Sequence, residues 1–350
     1  MNVLNRPLEW IKSPPSRGKR LMSTLIENPN PCLWAYRFKD GAPMSLENEA
    51  LPSDLRADGG WIWAHFSLSD QRARSFLARV DGVPAEVLEL LIGADSDLRI
   101  LFSGAWAFGV IPDFEMEFDS KFVDVGRMRF AFDESRLITI RRHPLQVAND
   151  LHRQLEGGLQ LDSPFAGFLA ISRRYCEMSE DQLDSLAAKL DQIEDSVLAE
   201  QAELEQLELG PLRRELSRRH RQVSWLKTAY QRAPRRHGQA SAHPIITSLP
   251  VLLQQTEDVE HEIAALQDRA RLVHEELDTK LTTASNRSLH ALTVMTALLM
   301  PATLLTGAFG MNLHGIFFAD EPAGFAIVSA LAALAVVMGY VLLKRFRILK

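Results

Sequence analysis

The stretch Gly307–Pro322, GAFGMNLHGIFFADEP, lies between two apolar runs and carries a Gly-Met-Asn tripeptide at 310–312. Reading outward from it decides the fold. Upstream, residues 289–309 (LHALTVMTALLMPATLLTGAF) contain no acid, lysine or arginine, and downstream the run 324–343 (GFAIVSALAALAVVMGYVLL) is likewise uncharged. At 1.5 Å per residue, about 20 residues of helix span roughly 30 Å, the thickness of a bilayer core. The competing reading is a pair of core helices in a large globular domain, but uncharged runs of this length point to two membrane spans.

The flanks give an orientation. Lys280 and Arg287 precede the first run, Lys344, Arg345, Arg347 and Lys350 follow the second, and the connecting loop carries only Asp320 and Glu321. The positive-inside rule then places the loop outside and both termini in the cytoplasm. The expected order is a flexible tail (1–24), a cytosolic α/β domain (25–175), a helical bundle and stalk (176–288), a first span (289–309), an outer loop (310–323), a second span (324–343) and a basic cytosolic tail (344–350).

The first span is polar for a simple anchor. Thr293, Thr296, Pro301, Thr303 and Thr306 lie in it, with Asn286 and His290 at its entrance. Thr296, Met300, Thr303, Gly307 and Gly310 step 4-3-4-3 and so share one helix face, with Leu289, Leu292 and Thr293 near the same line. Such threonines either bond their own helix backbone and pack against a neighbour, or line an aqueous path. The second span has only Ser329 and Tyr340 as polar side chains and reads as a lipid-facing partner.

Before the membrane, Val259, Ile263, Leu266, Ala270, Val273, Leu277 and Leu281 repeat in steps of four and three, the seam of a helix packed along other helices. Neither Gly nor Pro occurs between Val251 and Pro301, so a single helix of about 60 residues, roughly 90 Å long, is expected over 250–309. An earlier series, Leu183, Leu186, Leu190, Ile193, Val197, Leu204 and Leu207, is expected to end at Gly210-Pro211, where a new helix would run to about Arg232. APRRHGQASAHP (233–244) reads as a loop. Residues 177–208 hold 11 acids against one lysine, whereas 213–236 hold nine Lys/Arg against one Glu. That basic run admits nucleic-acid binding, but the acidic helix next to it favours a solvated, ion-paired face and no nucleic-acid partner.

Residues 25–175 show strand-like runs at 33–38, 61–66, 98–102, 106–111, 127–132 and 136–142, with helical patterns at about 70–92 and 144–157. No Gly-rich phosphate loop, nucleophile elbow or metal-spaced His/Cys cluster occurs there, so the sequence does not read as an enzyme. His65 and His143 are isolated, and the chain's two cysteines, Cys32 and Cys176, are too far apart in sequence to suggest a disulfide framework. The N-terminus, MNVLNRPLEWIKSPPSRGKR, has no continuous apolar core of a signal peptide, and Met22 is an alternative start.

A cytosolic α/β domain, a long stalk helix, two C-terminal spans and Gly310-Met311-Asn312 after the first of them together resemble the CorA family of divalent-cation transporters. The resemblance implies an α+β cytosolic domain (an α/β sandwich), coiled-coil-like stalk helices and two transmembrane helices in a homopentamer of the inner membrane. It implies a pore lined by Asn286, Leu289, Leu292, Thr296, Met300, Thr303 and Gly307, with Gly310, Met311 and Asn312 as the filter. Asp320 and Glu321 would attract cations at the outer mouth. No cofactor is implied, and the transported ion would be Zn²⁺ or Mg²⁺, passing Asn312 in hydrated form because neither span offers a cysteine or carboxylate.

DGGWIWAHFSLSD (58–70) and MNLHGIFF (311–318) look most similar to the zinc-transporting ZntB branch, in which transport is associated with protons. Phe309 replaces the Tyr frequent before the tripeptide, and His314 and Phe317 stand where that branch usually has Gly and Pro. Imidazole ligates zinc and titrates near neutral pH, so His314 is either a mouth ligand or an incidental loop residue. The remaining alternatives are a magnesium or broad divalent channel of the same fold, and a membrane-tethered sensor whose spans only anchor a coiled coil.

Overall fold

In the computed structural model of the chain, the described residues are 30–94, 97–115, 125–199, 202–237, 243–310 and 323–345, with the side chains of 125, 202–207 and 235–237 left aside. The expected N-terminal tail thus lies outside the described residues.

Each of the six strand-like runs becomes a strand: β1 (Trp34–Lys39), β3 (Trp61–Ser67), β4 (Arg99–Ser103), β5 (Trp106–Phe114), β6 (Val125–Phe132) and β7 (Arg136–Arg141). A seventh, β2 (Ala42–Ser45), has no apolar alternation and contains Pro43, which suits only an edge position. It forms because Asp40 and Gly41, at φ 50° and 81°, make the two-residue reverse turn that pairs Lys39 with Ala42. The sheet runs β2-β1-β3-β7-β6-β5-β4, antiparallel throughout except for the parallel β3–β7 pair.

Strand β3 is buried over Trp61–Phe66 on both faces, because helices cover both sides of the sheet. On one face α1 (Gln71–Leu77) and α2 (Ala85–Ile92) set Ala73, Leu77, Val87, Leu90 and Leu91 against Ile62, Ala64, Phe66, Ile138 and Ile140. The helical pattern expected over 70–92 is broken here, since Gly82 sits at φ 68° and Pro84 occupies the cap position of α2. Asp70 starts α1 by accepting the Arg72 amide at 2.8 Å.

On the other face lie α3 (Gln146–Glu156) and α4 (Pro164–Leu198). A Cβ at Gly167 of α4 would come within 2.7 Å of Leu137 and 3.4 Å of Trp61, so glycine is what lets this helix settle on the sheet. Phe168 packs against Phe130 at 4.7 Å between ring centroids. This is the sandwich expected of a layered α/β arrangement. Helix α3 has no side-chain cap of its own; Asp113 of β5 instead accepts the Val147 amide at 3.0 Å.

Polar groups inside the sheet layer are mostly held. Arg136, with no exposed surface, bonds Asp133 at 3.1 Å and the carbonyls of Asp54, Asp81 and Gly82, and lies over the Trp106 ring. His65 shares the Thr139 hydroxyl with Trp63, and its burial pushes the imidazole well below its usual range, keeping it neutral.

Beyond the sheet the chain is helical: α4, then α5 (Ala202–His237), α6 (Pro244–Gly310) and a shorter α7 (Gly324–Arg345). The heptad positions Leu183, Leu186, Leu190, Ile193 and Val197 are buried, as are Val259, Ile263, Leu266, Ala270, Val273 and Leu277. Gly210-Pro211 does not end a helix, contrary to expectation; α5 runs straight through it. The missing proline N–H costs about 3 kcal/mol, which the buried Leu209, Leu212 and Leu216 on either side offset. Helix α5 also continues to His237, past the expected end near Arg232, and includes Pro234.

The basic face of α5 is paired in part. Lys227 contacts Glu260 at 2.7 Å and Glu257 at 3.3 Å on α6, and Arg219 bonds Glu215 at 2.7 Å within its own helix. Acids of α4 find their partner on α6 too, Arg269 meeting Asp191 and Glu194 at 2.7 Å each.

Candidate ion pathway

Helix α6 is one continuous helix of 67 residues that runs from polar sequence through the first apolar run to Gly310. Its burial changes character at Leu277. Up to that point the seam is covered; beyond Leu281 no side chain of the helix is fully buried in the single chain, and Leu289, Leu292, Met295, Leu299, Met300 and Leu304 are all more than half exposed.

The contact between the two apolar helices selects a particular face. On α6 the residues with intermediate cover are Val294, Leu298, Ala302, Leu305, Ala308 and Phe309. At 100° per residue these centre on the side opposite Thr296, Met300, Thr303, Gly307 and Gly310. On α7 the residues with matching cover include Val328, Ala332, Ala335, Gly339 and Leu343. Ala335 and Gly339 form a small-xxx-small pair that lets helices approach closely, and Leu298 Cδ2 would lie 3.6 Å from a Cβ at Gly339. Spacing of small residues is the sequence signal for this contact, whereas the lack of polar groups on the second span points only to lipid.

The polar stripe therefore has no cover from its own chain. Of the site residues expected within the helix, Asn286, Leu289, Leu292, Thr296, Met300, Thr303, Gly307 and Gly310 are all exposed in the single chain. The threonine hydroxyls donate into their own helix, Thr293 to the Leu289 carbonyl and Thr296 to that of Leu292 at 2.8 Å, Thr303 to Leu299 at 2.9 Å, and Thr306 to Ala302 at 3.1 Å. Pro301 offers no N–H to the Ala297 carbonyl, yet the helix continues. Met311, Asn312, His314, Asp320 and Glu321 lie outside the described residues.

Among the described residues no group of three or more His, Cys, Asp or Glu side chains is placed to hold a metal. Cys32 and Cys176 are free and buried, and burial pushes both thiols up to about 12, so neither supplies a thiolate ligand near neutral pH.

A sheet domain with helices on both faces, a long helix and two apolar C-terminal helices together define a CorA-like fold, and solved structures agree. The full-length CmaX protein superposes with a TM-score of 0.72 at 20% identity, covering 90% of this chain and 98% of that one. The CorA magnesium transporter of Methanocaldococcus jannaschii gives 0.70 at 17% identity, covering 89% and 97%. The family model for CorA-like Mg²⁺ transporter proteins matches residues 58–345. The chain belongs to the CorA family of metal-ion transporters. Among its relatives, the divalent cation transporter CmaX of Pseudomonas aeruginosa is 24% identical over 272 residues, 75% of this chain and 80% of that protein. The zinc transport protein ZntB of Pectobacterium carotovorum is 22% identical over 274 residues, with the same coverage.

Proposed function

We propose that this chain carries divalent metal cations, zinc foremost, across the inner membrane through a central pore. In this reading five copies assemble, each contributing the exposed stripe of α6 to the pore and Asn312 to a selectivity ring at its outer mouth. The carrying observation is the position of that stripe opposite the α7 contact face, where its own chain leaves it uncovered. Lipid alone would have no use for four threonines, a proline and a glycine along one span. A ring of Asn carbonyl oxygens would bond a hydrated ion without stripping its water, and Leu289, Leu292 and Met300 would narrow the path below it. Both termini would be cytoplasmic, with residues 25–288 as the cytosolic part and the acids of the 310–323 loop facing outside. Proton coupling and the choice of zinc rest on the likeness of 58–70 and 311–318 to the ZntB branch. The second reading, a magnesium or broad divalent channel, is favoured by relatives whose names specify magnesium or divalent cations in general.

Uptake into proteoliposomes tests the reading, with Zn²⁺ and Mg²⁺ compared with and without a proton gradient. Zinc entry that responds to the gradient is expected; entry of Mg²⁺ alone, indifferent to protons, would replace zinc by the second reading. Asn312→Ala is expected to abolish flux while the assembly persists in size-exclusion chromatography, and full flux in that variant removes the filter assignment. His314→Gly is expected to leave the Zn²⁺/Mg²⁺ preference unchanged.

A further inference from the structure

Helices α4, α5 and α6 carry two charged faces that their own chain leaves open. On α5, Arg214, Arg221, Trp225 and Arg232 recur at seven, four and seven residues, which keeps them on one narrow line along the helix. All four are exposed, Trp225 with 44% of its surface open. The three arginines make no hydrogen bond or ion pair with any described residue. Lys227, which holds Glu260 of α6 at 2.7 Å, projects from the other side of α5, so the line faces away from α6.

On α6, Val251, Asp258 and Glu262 recur at seven and four residues, with Glu180 and Asp184 of α4 beside them. Partial burial, then the charges of Glu177, Asp181, Asp258 and Asp184, hold the Glu180 carboxyl above its usual range. Glu262 is raised in the same way by partial burial, Asp184 and Glu180. Among the described residues no lysine or arginine pairs with Glu180, Asp181, Asp184, Asp258 or Glu262. Glu257 and Glu260, which meet Lys227, project from the other flank of α6, so the acidic face looks away from α5.

The two faces point apart within one chain, yet they match as surfaces. Each has one large exposed apolar side chain with charges of a single sign along the same side. Arg221 and Arg214 lie about one and three turns from Trp225, and Asp258 and Glu262 about two and three turns from Val251. We propose that the α5 line of one copy docks on the acidic α4–α6 face of a second copy. The contact joins unlike faces, so every copy offers both halves, and repetition by rotation closes a ring. Arginine and tryptophan are enriched at protein interfaces, and guanidinium groups meet carboxylates in paired hydrogen bonds. The inference rests on the reading that several copies assemble, and adds the surface through which neighbours touch.

The test uses the full chain in detergent. Arg214→Lys, Arg221→Lys and Arg232→Lys together keep the charges and supply amines that a carbodiimide joins to carboxylates at contact distance. Covalent dimers and larger species are expected on denaturing gels, with peptides linking these lysines to acids of 177–184 or 258–262. Separately, Arg214→Glu with Arg221→Glu is expected to raise the concentration at which the assembly dissociates, read by light scattering, at least about tenfold. Adding Glu180→Arg and Asp258→Arg to that variant is expected to restore it. Links confined to single copies, or a midpoint unmoved by the reversal, overturn the proposal. Chains monomeric at every concentration remove the assembly reading itself, whereas assemblies of wild-type size without these links remove only this contact. Uptake of a single-stranded oligonucleotide or of phosphatidylglycerol vesicles on the α5 line, with no such link found, assigns the line to those partners and also overturns the proposal.

Discussion

The sheet layer and the C-terminal helices solve opposite problems. In the sheet layer Trp61, Trp63, Phe66, Ile138 and Ile140 are covered by helices of the same chain, and even Arg136 is fully enclosed with its donors satisfied. In α7 and the end of α6 the order is reversed: Leu304 is 70% exposed and Phe325 88%, while the threonines form a bare polar line. A chain that buries an arginine completely in one place does not leave this much apolar surface open by accident. One region finishes its interior alone, and the other is shaped for surroundings that a single copy does not provide.

The sharpest way to break that contrast is at Arg136. Arg136→Leu leaves Asp133 and three carbonyls without their donor in a closed interior, and should destabilise the sheet domain by about 3–5 kcal/mol in denaturant titrations. A loss under about 1 kcal/mol would mean that the layer is less self-sufficient than described. The seam gives a paired experiment. Ile263→Ala, at a site with no exposure, should cost about 2–4 kcal/mol, whereas Thr303→Val on the bare stripe should alter ion flux and leave unfolding of the cytosolic part unchanged. Equal stability effects at the two positions would erase the distinction.

Gly339→Val inserts a branched side chain where α7 meets Leu298, and should lower the thermal stability of the membrane part by about 1–3 kcal/mol. The gentlest probe is Asp113. Burial raises its carboxyl from the ordinary 3.8 to about 7. The folded state therefore holds that proton more tightly than the unfolded chain does. The resulting cost of ionisation is absent below about pH 4, grows as pH rises, and is complete above about pH 7. Asp113→Asn keeps the oxygen that accepts the Phe114 and Val147 amides, so it should stabilise the protein by roughly 1–2 kcal/mol more at about pH 8 than at about pH 5. A pH-independent effect would show that the carboxyl is not desolvated.

Much of this architecture is legible in the residues because periodicity reports burial directly. The heptads of α4 and α6, the alternation and aromatic content of six strands, and the stripe on the first apolar run all follow from spacing. The failures come where packing outweighs local preference. Strand β2 is held by the Asp40-Gly41 turn rather than by its own side chains, and α5 carries Pro211 because its leucines are buried on both sides.

The backbone bonds of the threonines on α6 carry a further consequence. A hydroxyl has one proton, and Thr293, Thr296, Thr303 and Thr306 each give theirs to a carbonyl one turn back. What each shows to its surroundings is an oxygen with lone pairs and no proton to offer. Waters bound to a cation point their hydrogens outward, and waters around an anion point theirs inward. Where these threonines line an ion path, as proposed above, they would favour the shell of a cation, all of whose water hydrogens point outward to accepting oxygens, a sign preference that needs no fixed charge.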